Sequence, residues 1–268
     1  MFIKKILKYY FILSFILTVN CSFAKTQVLI YADDGYQPYS FVNNGKPDGI
    51  YYDILKIAFA RMKNFEVVVQ TIPWKRGLQE VEQGIVFAIY PPYYRPVDRA
   101  WMAYSKKILD EKYTMFCRAT KKIKAKKKWP DDYKGLVVTK NSGFALPPIF
   151  MEAVKKGYVS LSEVRETERN LMKVIAHHAD CYVNDELGIQ IELARMKKIG
   201  KYNPKNNEDK IIKIMDLSNE NGYIGYLKNN SKKFPYTDSF VKEFNNIITD
   251  MIKSGEIDKI KSQFIKKY

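Results

Sequence analysis

Strand-like and helix-like patterns of hydrophobic residues alternate along the first half of the chain. The predicted elements, in order, are a strand at Val28–Tyr31, a helix from Asp53 with apolar positions at helical spacing, a strand at Glu66–Gln70, a short helix around Leu78 that ends at Gly84, and a strand at Ile85–Tyr90. Strands that alternate with helices predict an α/β fold with a mostly parallel sheet.

The same order of patterns restarts in the middle of the chain. A strand is predicted at Leu136–Thr139, and a second strand, Cys181–Val183, ends at the polar pair Asn184 and Asp185. In open α/β sheets such a strand end faces the ligand crevice. From Asp238 the tail reads as two helices separated by Gly255. We therefore expect a second α/β unit, with tail helices that fold back onto the first.

The N-terminus has the pattern of a secretory signal. Three lysines precede the apolar run Phe11–Val19, which is too short to span a bilayer, and small residues at Ser22 and Ala24 fit a signal-peptidase site. We expect residues 1–24 to be a signal peptide, cleaved after Ala24, and the mature protein to be periplasmic. A lipid anchor on Cys21 is the alternative, although Asn20 stands where that signal has a small residue.

Charge and composition narrow the range of partners. The chain carries a net charge of +16, and loss of the signal with its three lysines leaves 42 basic against 29 acidic residues. Such a surplus favours anionic partners, but nucleic acid is not expected for an exported protein. The densest basic run, Lys121–Lys128, reads as a solvated loop.

Cysteine and histidine usage offers no metal site. Cys117 and Cys181 remain after cleavage, and they either form a disulfide in an oxidising compartment or stay as two buried thiols. His177 and His178 are adjacent, so they do not share one helical face as metal ligands usually do. We expect no metal and no cofactor.

Several short motifs, in this order and spacing, resemble the family 3 bacterial solute-binding proteins of amino-acid uptake systems. They are the aromatic loop Tyr36–Phe41, the helix entry Gly49–Ile54, the helix end Leu78–Gly84, the Val97–Arg99 element followed by Tyr104 and Ser105, and the closing helices around Phe244 and Gly255. Each motif alone is weak, but together they cover essentially the whole mature chain.

The resemblance implies a type II periplasmic binding fold, in which two α/β lobes joined by two crossing strands close on a ligand. The crossings are expected near Glu111–Cys117 and Ser218–Gly222. Lobe 1 would then combine residues 25–110 with 222–268, and lobe 2 would be 111–221 with the crossings. Both cysteines fall in or at the edge of lobe 2, so a bridge there would not block closure.

The resemblance also implies the residues of the ligand site. Arg99 matches the arginine that binds a ligand carboxylate, and Asp185 matches the acid that binds an ammonium, although a helix-capping aspartate is an equal interpretation. The other expected ligand-binding residues are Tyr36, Tyr39, Trp74 and Tyr94 as aromatic walls, and Gly143 and Phe144 in a lobe 2 anion loop.

Three departures from the family pattern replace polar residues by rings: Phe87, the run Tyr90–Tyr94, and Phe144 with Ala145. They suggest a bulkier, less polar ligand than usual. The function implied is capture of a small amino-acid-like or carboxylate ligand by a monomer that delivers it to an inner-membrane ABC permease. Alternatives are a dehydratase-like enzyme on the same scaffold, for which no catalytic acid or base stands out, and a sensor that reports to a membrane receptor.

Overall fold

The computed structural model describes residues 24–120, 123 and 128–267. Almost all of the predicted signal peptide, and most of the lysine run at 121–128, lie outside these residues. The described part contains thirteen strands, seven α-helices and one short 3₁₀ turn. None of its helices is both long enough and apolar enough to cross a membrane.

The first five-stranded sheet has a parallel half and an antiparallel half. Its strands, in spatial order, are β5 (Phe65–Ile72), β1 (Thr26–Asp33), β6 (Ala88–Tyr90), β13 (Gly225–Leu227) and β7 (Met102–Tyr104). β1 runs parallel to β5 and β6, whereas β13 is antiparallel to β6 and β7. A small hairpin sheet of β2 (Gly35–Tyr36), β3 (Ser40–Asn43) and β4 (Lys46–Asp48) precedes helix α1 (Ile50–Ala60).

The second five-stranded sheet is built from the middle of the chain. Its order is β10 (Val159–Val164), β9 (Leu136–Asn141), β11 (Cys181–Asp185), β8 (Leu109–Arg118) and β12 (Ile211–Gly222). β9 is parallel to β10 and β11, and β8 is antiparallel to β11 and β12. β8 and β12 also connect the two sheets, because the chain enters the second sheet through β8 and leaves it through β12. The predicted domain boundaries fall inside these two strands.

Helices cover both faces of each sheet, as the alternating sequence pattern requires. In lobe 1, helices α1, α6 (Thr237–Lys253) and α7 (Glu256–Ile265) pack on one face, and α2 (Trp74–Glu82) packs on the other. In lobe 2, α3 (Pro148–Lys155) lies on one face, and α4 (Thr167–Ile175) and α5 (Glu186–Lys198) lie on the other. The two-lobed fold class is confirmed, with mixed rather than mostly parallel sheets.

Helix α6 shows how the tail completes lobe 1. Phe240, Phe244, Ile248 and Met251 recur every three or four residues and are buried, so they form one apolar stripe against α1 and β1. Each such burial contributes about 1.5–3 kcal/mol. Val241, the next residue along this helix, is only partly buried, whereas Phe240 is buried in the core.

A disulfide joins Cys117 of β8 to Cys181 of β11. The two residues stand directly opposite each other in the antiparallel pair, and both side chains are fully buried. Both strands belong to the second sheet, so the bridge does not tie lobe 1 to lobe 2.

Candidate functional site

A small enclosed cavity lies where the two lobes meet, and we call it the inner cavity. Its volume is about 20 Å³, which is close to the space that one water molecule needs. One wall comes from lobe 2 through Phe144. The remaining walls come mainly from residues 33–99, namely Asp33, Tyr36, Trp74, Tyr93 and Arg99.

Arg99 is a buried cation without an anionic partner in the described part of the chain. Arg99 lies in the turn between Pro96 and β7, where its backbone N–H donates to the carbonyl of Arg95 at 2.8 Å, and its side chain is buried. The guanidinium donates weakly to the Tyr93 carbonyl at 3.5 Å, interacts with the Tyr104 hydroxyl, and lies 5.6 Å from the Trp74 ring centre. Burial lowers the pKa of Arg99. A buried guanidinium normally has a hydrogen-bonded anionic partner, and none of the described residues forms an ion pair with Arg99.

Trp74 supplies a second donor. The side chain is buried at the start of α2, its ring lines the inner cavity, and its indole N–H has no acceptor among the residues described. Gly143 of lobe 2 approaches it closely with a φ of +82°. A Cβ at Gly143 would lie 2.6 Å from Cγ of Lys75 and 3.3 Å from Cδ1 of Trp74. Glycine at 143 therefore lets the lobe 2 loop approach α2.

Asp33 is the carboxylate that lines the inner cavity, and the sequence interpretation did not select it. It ends β1, is 3% exposed, and accepts from the Gly35 N–H at 2.9 Å. Burial raises the pKa of the Asp33 carboxyl to about 8. The available signal was its position after a strand, which is the same rule that pointed to Asp185.

Glu111 of β8 is a second buried acid, behind the inner cavity. It accepts hydrogen bonds from the hydroxyls of Tyr36, Tyr51 and Tyr93, the last at 2.7 Å. Burial and the nearby charge of Asp185 raise the pKa of Glu111 to about 8. Because Tyr36 and Tyr93 also line the inner cavity, this network fixes two of its walls to a crossing strand.

Both raised pKa values make stability depend on pH. A carboxyl whose pKa rises on folding keeps its proton in the folded state at pH values where the same carboxyl in the unfolded chain has lost its proton. The free energy of unfolding should therefore fall as pH rises from about 4 to about 8. Asp33→Asn should make this slope shallower in urea unfolding measured at several pH values. The exposed Glu66→Gln is the matched control, and an unchanged slope in Asp33→Asn would contradict the assignment.

Asp185 lies elsewhere. It caps α5, where its Oδ1 accepts from the Gly188 N–H at 2.9 Å and from the Tyr39 hydroxyl at 2.8 Å, and its Oδ2 accepts from the Lys112 N–H at 3.1 Å. It lines a groove behind the crossing strands and does not line the inner cavity. Its oxygens accept hydrogen bonds from three protein donors, and the bond from the Gly188 N–H is that of a helix cap.

Two of the predicted aromatic walls also lie outside the inner cavity. Tyr39 is buried and, together with Asp185, lines the groove behind the crossing strands. Tyr94 is 54% exposed and packs against the rings of Tyr104 and Tyr223. Its neighbour Tyr93 takes the place in the cavity wall. Of the predicted residues, Tyr36, Trp74, Arg99 and Phe144 come together in the inner cavity, and Gly143 borders it through Trp74.

The lobes touch on both sides of the inner cavity. Asp34 of lobe 1 forms an ion pair with Arg165 of lobe 2, and Lys75 Nζ of α2 lies 3.4 Å from Glu163 Oε2 of β10. The hydrogen bond from Tyr39 to Asp185 joins the lobes at the rear. This is a closed arrangement, and polar contacts that break at little cost hold its edges.

No group of histidine, cysteine or acidic residues in the described ranges is arranged to hold a metal ion. The inner cavity presents a guanidinium and an indole N–H as donors, one carboxyl, and aromatic walls.

Solved structures of low sequence identity share this fold. A protein from the glutathione import system of Streptococcus mutans, which works with the cystine ABC importer, has a TM-score of 0.71 at 13% identity, with 91% of this chain and 96% of that chain covered. A histidine kinase sensor domain with similarity to periplasmic binding proteins has a TM-score of 0.69 at 14% identity, with 90% and 96% covered.

A third similar structure is the ancestral amino acid-binding protein AncCDT-1, a precursor of cyclohexadienyl dehydratase. Its TM-score is 0.65 at 17% identity, with 89% of this chain and 95% of that chain covered. No curated protein matches the chain. The model of the bacterial extracellular solute-binding proteins, family 3, matches residues 28–267. The chain thus belongs to the bacterial extracellular solute-binding proteins, family 3.

Proposed function

We propose that this protein is a periplasmic receptor that captures a small ligand bearing a carboxylate, closes its lobes around it, and delivers it as a monomer to an inner-membrane ABC permease. The observation that carries the proposal is Arg99, a buried guanidinium without a carboxylate partner in the described chain, beside the unmatched indole N–H of Trp74. A buried donor left unpaired costs about 1–3 kcal/mol, and a ligand carboxylate satisfies both donors. Family membership supports the ligand-binding role.

The direct test is a thermal-shift screen of the mature protein against carboxylic acids, amino acids and amines, followed by calorimetry and a check for turnover. Carboxylate-bearing compounds should raise the melting temperature, and amines without a carboxylate should not. Stabilisation by amines alone would argue against the role of Arg99. Conversion of the bound compound would favour an enzyme, for which Asp33 would be the candidate acid or base.

Substitutions of Asp33 and Asp185 should distinguish an amino acid ligand, which carries an ammonium, from a simple carboxylate. If the ligand carries an ammonium, Asp33→Asn should weaken it at least tenfold and leave a simple carboxylate nearly unaffected, because only Asp33 lines the inner cavity with Arg99. Asp185→Asn should lower stability by about 1 kcal/mol through the weakened helix cap, with similar affinity for both classes. Calorimetry of both variants decides it, and selective loss of amino acids in Asp185→Asn would reverse the assignment.

Transport and sensing differ in the partner and not in the ligand site. Transport is the better supported proposal, since the matched family comprises solute-binding proteins. The similarity to a sensor domain keeps one specific alternative, a separate membrane receptor that the closed form would engage. Co-purification of the ligand-loaded protein with membrane proteins would identify which partner it uses.

A further inference from the structure

A larger space opens beside the inner cavity, and we call it the outer groove. Its volume is about 470 Å³, against about 20 Å³ for the inner cavity. Arg99, Phe144 and Ala145 line both spaces. Ligand sites commonly measure about 300–1,000 Å³. In this closed arrangement, the outer groove is therefore large enough for the body of a ligand while the inner cavity is not.

Phe144 separates the two spaces. Its ring meets Tyr36 edge to face at 5.0 Å and Trp74 edge to face at 6.2 Å, measured between ring centres. The backbone is held on both sides, since its N–H donates to the Asn141 carbonyl at 3.1 Å and its carbonyl accepts from Lys140 Nζ at 2.9 Å. The ring thus fills the space between the two aromatic walls, where a ligand body would otherwise lie.

The outer groove has apolar walls from both lobes. Lobe 1 contributes Leu78 of α2 and Trp101, and lobe 2 contributes Leu146, Met151 of α3 and Leu161 of β10. Apolar side chains that face each other across an open groove leave surface in water that a ligand of matching character would bury. Such a groove favours an uncharged, apolar ligand body.

Three of the six charged residues along the outer groove are paired with each other. Glu163 lies 2.8 Å from Lys140 Nζ and 3.4 Å from Lys75 Nζ. Two exposed acids, Glu82 and Asp98, also line the groove and disfavour a second negative charge on the ligand. Of the described cations that line the groove, Arg99 is the one without an ion-pair partner, and it lies at the end that the groove shares with the inner cavity.

We propose that the ligand is a monocarboxylate with an apolar body, whose carboxylate binds Arg99 and whose body lies in the outer groove on the far side of Phe144. This inference rests on the proposed function and names the ligand class. A free carboxylic acid and an apolar amino acid share this chemistry, and they differ only in the ammonium that Asp33 would hold.

Calorimetry with two matched pairs of compounds tests the class. The pairs are propionate with 3-phenylpropionate and alanine with phenylalanine, and phenethylamine serves as the probe without a carboxylate. In the pair that the protein recognises, the phenyl compound should bind at least tenfold more tightly, because each buried methylene contributes about fourfold, from about 0.8 kcal/mol at about 1.4 kcal/mol per decade. Phenethylamine should not bind. Equal affinity within both pairs would overturn the proposal.

Substitutions in and beside the outer groove test whether the apolar body of the ligand lies there. Met151→Ser should weaken the phenyl compound at least fivefold, whereas Ile149→Ser, two residues away on the same helix, is 54% exposed and does not line the groove, and should leave affinity unchanged. Phe144→Ala enlarges the inner cavity and should give no gain in affinity. A tenfold gain would overturn the proposal, since it would mean that the ring competes with the ligand for the same space.

Failure of this inference differs from failure of the proposed function. If propionate and 3-phenylpropionate bind equally and both depend on Arg99, the carboxylate site stands and the role of the groove is wrong. If no carboxylate binds, or if Arg99→Ala binds them all as wild type does, the proposed function itself is wrong.

Discussion

Arg99→Ala should reduce the affinity for carboxylate ligands at least a hundredfold and leave the fold intact. Removing one partner of a desolvated charge pair typically costs about 3–5 kcal/mol, and about 1.4 kcal/mol corresponds to one decade of affinity. Without ligand, Arg99 has no ion-pair partner among the described residues, so its loss breaks no salt bridge within the protein. The melting temperature of the ligand-free variant should therefore stay close to that of wild type.

Arg99→Lys tests whether the positive charge alone is sufficient for carboxylate binding. A lysine keeps the charge but cannot donate two parallel hydrogen bonds to a carboxylate, so it should also bind poorly. Calorimetry with the best carboxylate from the screen measures both variants, and melting curves confirm that they fold. If Arg99→Ala is folded and binds as wild type does, the carboxylate must be held by another group.

Arg95→Ala should destabilise the protein by about 3–5 kcal/mol. Arg95 lies four residues before Arg99 and is also buried, but it has a partner: its two terminal nitrogens donate to Glu220 at 2.7 and 2.6 Å. The two side chains are 10% and 6% exposed. Glu220 belongs to β12, so removal of Arg95 leaves an unpaired carboxylate buried at a crossing strand.

Calorimetric unfolding of the ligand-free variants compares the two arginines directly. For a chain of this size, the predicted loss corresponds to a fall of roughly 6–20 °C in melting temperature. Glu220→Gln, which removes the charge and keeps the shape, should lose stability as well. If Arg99→Ala were the less stable of the two alanine variants, the contrast between an unpaired and a paired guanidinium would be wrong.

The α/β order could be predicted from the sequence because the elements bury periodic apolar residues, and the two-lobed fold was implied by the resemblance to family 3. Strand limits were less predictable, as in the run Ile85–Tyr90, where only Ala88–Tyr90 forms a strand. Val86 and Phe87 pack into the core of lobe 1 without entering the sheet, and Ile85 is exposed. Apolar character alone does not distinguish these two ways of being buried.

The site was less predictable because it depends on contacts between distant segments. An aspartate after a strand fits both a helix cap and a ligand site, and the sequence does not show that Asp185 also accepts from the Tyr39 hydroxyl, 146 residues away, and from the Lys112 N–H. Tyr93 and Tyr94 are adjacent and chemically alike, but the backbone turns one toward Glu111 and the other toward solvent. Phe144 was expected to bind ligand as part of an anion loop, whereas its ring packs edge to face against Tyr36 and Trp74.

The core of lobe 1 contains residues from both the first strand and the last two helices of the described chain. Ile30 of β1 packs in the same cluster as Phe244 of α6 and Phe264 of α7, whereas the clusters of lobe 2 use only residues between Tyr93 and Leu217. As the chain is synthesised from the N-terminus, the residues of the lobe 2 core are all made before those of the lobe 1 core. The first strands must then wait for the last two helices, and during that interval their apolar surface is open to chaperones and to aggregation.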